Sequence, residues 1–392
     1  MTPEATTLDA ATLLEEASRS TGLDDFGDAR FRTDLDVLLL SLHDEAALHA
    51  MGQSIVREDL LRLLRNRLRM TAFFRAHPVI TARPIEQPLF IVGLPRTGSS
   101  ILHELLALDP ENRTPMTWEV KFPCPPPETA TFHSDPRICA MDTELAQMDS
   151  LIPEFKKMHP QGAELPQECL NMTTHEFKSI FWSVSHDVPT YQAWLDGVDM
   201  KPVYTFHHDM LRLLHWRCPP ERWVLKSSSH LWSLDALLDE YPDARIVQTH
   251  RDPLKVLASF TSLVSTLRRF YSGRVDARRI GEQQAALLAA GLDRAVAFRE
   301  RGRLHADQVV DLHFADFIAD PIGRIAEIYR HIGRTLSAQA AEGMRKFLAA
   351  NPGDKHGAHR YEFSTTGLDP DGERLRFARY QEYFDIPSER VL

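Results

Sequence analysis

A continuous apolar run from Pro88 to Gly93 leads straight into the loop Gly93, Leu94, Pro95, Arg96, Thr97, Gly98, Ser99 and Ser100, and nothing else in the chain constrains its fold so strongly. Apolar residues without alternation mark a strand buried on both faces, hence a sheet covered by helices. The run Ser99 to Leu108, closed by Asp109 and Pro110, reads as the helix that follows directly. A strand, a glycine loop and a helix start in this order make an anion cradle. The loop can fold tightly, and the free N–H groups of the first turn point to one spot at the positive end of the helix dipole. The glycines stand at the G-x4-G spacing of a P-loop, but Ser99 occupies the place of the lysine that reaches the β- and γ-phosphates in nucleoside triphosphatases. A triphosphatase is thereby disfavoured. A turn that needs glycine for geometry alone is the lesser alternative, since Arg96, Thr97, Ser99 and Ser100 crowd the loop with anion-binding groups.

The same strand and helix rhythm returns later. Arg222 to Lys226, Ala244 to His250 and Gln308 to His313 read as strands; Leu231 to Tyr241, Leu254 to Phe270, Gly281 to Arg301 and Asp320 to Ile332 read as helices. A parallel α/β sheet, P-loop-like and flanked by helices, is the economical architecture. Before it, Ala10 to Ser20, Asp34 to Leu48 and Arg57 to Ala76 show helical apolar spacing, so residues 1–85 are expected to form an N-terminal helical arm. The α/β core is expected over 86–335, interrupted at about 121–220 by a mostly helical insertion. Residues 336–392, loop-like from Asn351 onward, are expected to close the site.

Other chemistry-bearing residues cluster where a parallel sheet gathers its ligands, at the carboxyl ends of strands. Arg251 follows one strand and Ser259 lies eight residues on, two turns into the next helix. An arginine fork and a helical hydroxyl can converge on one phosphate, although a strand-capping arginine and a buried serine would look the same. Lys226 ends another strand, where a buried lysine is costly unless it meets an anion; a snorkelling surface lysine is the alternative.

Charge and composition exclude several partners. Lys plus Arg number 45 against 55 Asp plus Glu, a formal charge of -10, so a nucleic acid is not the expected partner and basic sites must be local. No apolar run approaches the ~20 residues of a membrane span. The acidic start lacks a basic segment followed by an apolar one, and the expected location is cytoplasmic. Cys124, Cys139, Cys169 and Cys218 form no CxxC pair, which points away from zinc and towards free thiols. His103 and Glu104 begin like a zincin helix, but Ala107 stands where the second histidine belongs.

Together and in this order the two anion motifs resemble the sulfotransferases that use 3'-phosphoadenosine 5'-phosphosulfate (PAPS). In that family a loop like Pro95, Arg96, Thr97, Gly98, Ser99 and Ser100 binds the 5'-phosphosulfate, and an Arg and a Ser eight apart, here Arg251 and Ser259, bind the 3'-phosphate. The resemblance spans about residues 88 to 333, and the phrases Leu225 to Ser227 and Thr249 to Pro253 look like the bacterial branch. Arginine in place of lysine at position 96 departs from the cytosolic phenol and steroid enzymes and looks like the carbohydrate and tyrosylprotein ones.

The resemblance implies PAPS as co-substrate, no required metal, and in-line transfer of a sulfuryl group to a hydroxyl. It also explains the missing lysine, since PAPS has no γ-phosphate. Lys226 is assigned to the transferring sulfonate or its bridging oxygen, where fixed donors lower the barrier. For the general base, Glu119 is preferred from its place after the loop helix, with His230 second and Glu168 or His175 in the insertion behind them. Arg360, in the segment Lys355 to Tyr361, is expected to close over the 3'-phosphate, with a plain solvated loop the alternative. Pro123 to Pro127, Phe155 to His159, Phe177 to Trp182 and Tyr191 to Trp194 are expected to wall a site for a small, apolar hydroxyl acceptor, or else to pack the core. A homodimer stays open. The rival readings are a nucleotide or small-molecule kinase with a degenerate loop, and a non-catalytic nucleotide-binding protein of the same fold.

Overall fold

The computed structural model describes residues 8–351 and 361–391. Five parallel strands form one sheet in the order β2-β3-β1-β4-β5: β1 (Leu89–Gly93), β2 (Asn112–Arg113), β3 (Arg222–Lys226), β4 (Arg245–His250) and β5 (Val309–His313). In the centre, Leu89 stands opposite Val224 on one side and Arg245 on the other. The expected α/β architecture is what the chain adopts.

Alternation along the strands divides the core. Phe90 and Val92 of β1, Leu225 of β3 and Ile246 of β4 face the larger cluster; Leu89, Ile91, Val224 and Val247 face a smaller one built with Leu102, Leu105, Leu106 and Ile325. Both faces are dry, as the unbroken apolar run of β1 requires.

The N-terminal helices Ala10–Thr21, Phe31–Asp44 and Ala50–Ala76 share the larger cluster with the sheet through Leu13, Leu35, Leu38, Leu60 and Leu64. Two buried ion pairs fasten them to the inserted region: Arg67 with Glu176, and Lys178 with Asp34 at 2.8 Å. Between β2 and β3 the chain runs mostly through helices, including Pro136–Leu151, Cys169–Thr173 and Lys201–His215. Beyond β5 the expected loop-rich segment is corrected: Ala338–Ala350 and Pro370–Tyr383 are helices, the latter burying Phe377 and Tyr380.

Candidate active site

Strand β1 ends in a loop whose geometry only certain residues allow. Gly93 has φ 148°, and a Cβ there would stand 2.1 Å from Thr249 Oγ1. Gly98 has φ 84°, with Phe314 and Phe317 each 3.2 Å from where a Cβ would be. Arg96 also adopts a left-handed conformation, at φ 67°. The loop is pinned to β4 through Thr97, whose hydroxyl lies 2.7 Å from Leu94 O and 2.6 Å from Thr249 Oγ1. Thr97 therefore shapes the cradle with its side chain. No side chain caps helix Ser99–Ala107, so its first N–H groups, at Ser99 and Ser100, stay open at the loop's mouth. Pro95 is half-buried in the turn.

At one side of this loop the two sequence motifs meet. Arg96 Nε donates to Ser259 Oγ at 3.2 Å, and a terminal nitrogen of Arg96 donates to Met158 O at 2.6 Å. Arg251, just past β4, donates to Arg96 O at 3.2 Å and lies 4.0 Å from the Phe314 ring centre. Its other edge holds Glu389, Nε to Oε1 at 2.9 Å and a terminal nitrogen to Oε2 at 3.1 Å. Burial lowers the Arg96 pKa, and the nearby Arg251 adds to that. Two guanidiniums in one partly desolvated corner have a strong call for an anion.

At the other side is Lys226. Its ammonium donates to Ser100 Oγ at 3.2 Å and to Glu168 Oε1 at 2.5 Å. Burial alone would raise the Glu168 carboxyl, but Lys226 and then His159 outweigh it and hold it below the usual range. This pair lines a narrow cleft with Ser100, His103, Glu104, His159 and Leu165. Burial pushes His103 down to about 3 and raises Glu104, so a neutral imidazole and a half-buried carboxyl share the cleft.

Three of the four expected bases, Glu119, His230 and His175, are not in the lining. Glu119 is fully buried: Arg113 takes one carboxylate oxygen, and the other accepts the Met116 N–H at 2.9 Å, closing the first turn of helix Thr117–Lys121. Burial raises its pKa against the pull of Arg113. It serves a cap and an ion pair. His230 is likewise buried, its Nδ1 2.8 Å from the Tyr204 hydroxyl, its ring edge-on to Phe90, and its pKa lowered by burial to about 3. His175 is buried beside Met172 O, 3.0 Å from its Nδ1, and Asn66. Arg360 lies outside the described residues; the adjoining Tyr361 acts electrostatically on Arg96.

The expected acceptor walls are partly core. Phe177, Trp182 and Tyr191 are fully buried in the larger cluster, whereas His159 lines the cleft. A second, roomier cavity lies beside the turn after Lys226, lined by Ser229, Trp232, Tyr204, Ile180 and Gln192 among others. Glu168 stands in no local sequence pattern, and only its contact with a lysine 58 residues away lifts it above the others.

Comparison with known proteins sets the chain beside sulfotransferases. A model of the sulfotransferase family matches residues 88–338. Stf3 of Mycobacterium bovis, an omega-hydroxy-beta-dihydromenaquinone-9 sulfotransferase, is 27% identical over 262 residues, 63% of this chain. The match spans 63% of that relative's length, and the Mycobacterium tuberculosis form matches equally. Among solved structures, the sulfotransferase STF1 from Mycobacterium tuberculosis is 33% identical with a TM-score of 0.84, covering 95% of this chain and 98% of that one. STF9 from Mycobacterium avium is 27% identical with a TM-score of 0.90, covering 98% and 99%.

Proposed function

Because this chain belongs to the sulfotransferase family, we propose that it moves a sulfuryl group from PAPS to the hydroxyl of a small, apolar acceptor. The observation that carries this reading is the convergence of Arg96, Arg251 and Ser259 on one side of the loop and Ser100, Lys226 and Glu168 on the other. In this reading Arg251 and Ser259 hold the 3'-phosphate. The loop N–H groups, Arg96 and Ser100 hold the 5'-phosphosulfate. Lys226 faces the bridging oxygen, where charge builds as the S–O bond to phosphate breaks.

Glu168 takes the acceptor's proton. While paired with Lys226 it is a weak base; once Lys226 turns to the sulfonate, burial acts on the carboxyl with less opposition and strengthens it. The support for an apolar alcohol is that the Stf3 relatives are named for a menaquinone-derived lipid alcohol; in the cleft, Pro160, Leu165 and Pro166 offer apolar contact beside a mostly polar lining.

Calorimetric titration with 3'-phosphoadenosine 5'-phosphate tests the donor assignment. Micromolar binding is expected, weakened at least about tenfold in Arg251→Ala, the weight of a charge-assisted contact. Preference for ATP with Mg²⁺ would replace this reading with a kinase.

A further inference from the structure

Each cation of the site is met by an acceptor of the protein itself: Arg96 by Met158 O, Lys226 by Glu168 and Arg251 by Glu389. The last of these comes from far along the chain and is held there by a built clamp. The Glu389 N–H donates to Asp252 Oδ2 at 2.6 Å, and its carbonyl accepts from Arg374 at 2.8 Å. Arg374 also donates to Asp252 Oδ1 at 2.6 Å. Asp252, with a fully buried side chain, caps helix Pro253–Tyr271 through the Leu254 N–H at 2.9 Å. The backbone at 389 is thus tied to the residue after Arg251, and its carboxylate is aimed at the arginine fork.

That carboxylate engages Nε and one terminal nitrogen, the edge by which an arginine grips two phosphate oxygens. We infer that Glu389 is a place-holding anion for the donor's 3'-phosphate. This rests on the assignment of Arg251 to that phosphate. Without ligand, Glu389 neutralises a guanidinium that would otherwise stand partly desolvated beside Arg96. Its side chain keeps 35% of its surface exposed, so it can swing into water when a phosphate arrives while the clamp on Asp252 stays shut. After transfer it competes with the bisphosphate product for the same fork and hastens release. A nucleotide without a 3'-phosphate leaves the pair in place and is indifferent to it.

The test is calorimetry and displacement kinetics on the full chain, wild type and Glu389→Gln, with 3'-phosphoadenosine 5'-phosphate and with AMP. The variant should bind the bisphosphate about tenfold more tightly and release it more slowly, with AMP affinity unchanged. Equal bisphosphate affinity in the two proteins would overturn the inference, and so would equal tightening for AMP, which would reveal only a general loss of negative charge. Absence of bisphosphate binding in both proteins would overturn the donor assignment itself, and the inference with it.

Discussion

Glu168 and Glu119 are both carboxylates shielded from water, and their partners separate their roles. Glu168 faces a lysine at the mouth of a cleft, whereas Glu119 spends both oxygens on Arg113 and a backbone N–H. Glu168→Gln should lower kcat by roughly 10²–10⁴-fold with bisphosphate binding kept, as for loss of a general base. Glu119→Gln should instead lower unfolding free energy by roughly 3–5 kcal/mol, since one partner of a buried ion pair is removed. Steady-state kinetics and denaturation of both variants check this, and a kcat loss confined to Glu119→Gln would reverse the two roles. The anion residues were legible because they sit in local patterns: Arg96 to Ser100 in one loop, Arg251 and Ser259 across two turns. Glu168 carries no local pattern, and its meaning arises only when the insertion folds back onto Lys226. Glu119 stands at a familiar distance from the loop, but distance along the chain does not tell which way a side chain points.

Among elements, the strands that read well are those rich in Val, Ile, Leu and aromatic residues: β1, β3, β4 and β5 lie where the pattern places them to within a residue. The two-residue β2 has no pattern to read, being held by its pairing with Arg222 and Trp223. Helix Pro370–Tyr383 hides among charged residues because only a narrow stripe of it is buried. The loop after β1 is the element with least freedom. Gly93→Ala would put a methyl 2.1 Å from Thr249 Oγ1 on a backbone at φ 148°, so the loop or β4 must shift. The expected result is roughly 2–4 kcal/mol of lost stability and loss of measurable bisphosphate binding. Chemical denaturation and calorimetry read the two effects, and a variant that binds as well as wild type would show the cradle to be more tolerant than its geometry implies.

For the whole molecule, the histidines set a response to acid. Burial holds His103, His175 and His230 at about 3 and His186 at about 4, so the fold keeps them neutral, while an unfolded histidine titrates near ~6.5. Below that value the unfolded chain takes up protons that the fold cannot. Stability should be full above about pH 6.5 and fall progressively towards pH 4. Asp34, Glu119 and Glu176, raised by burial, act in the opposite sense, but each is partly offset by its own cation. Urea midpoints at several pH values measure the balance, and a midpoint unchanged from pH 7.5 to 5 would refute the histidine account. The sheet order, too, was illegible, because strand neighbours are chosen across long distances. That same order governs how the protein is made. Leu89 pairs with Val224 and Arg245, so the most apolar strand leaves the ribosome well before either partner exists. At ~5–20 residues per second, that is a wait of roughly 7 to 30 s with an exposed strand edge. Production at low temperature or with chaperones in excess should therefore raise soluble yield more than any change to the finished fold.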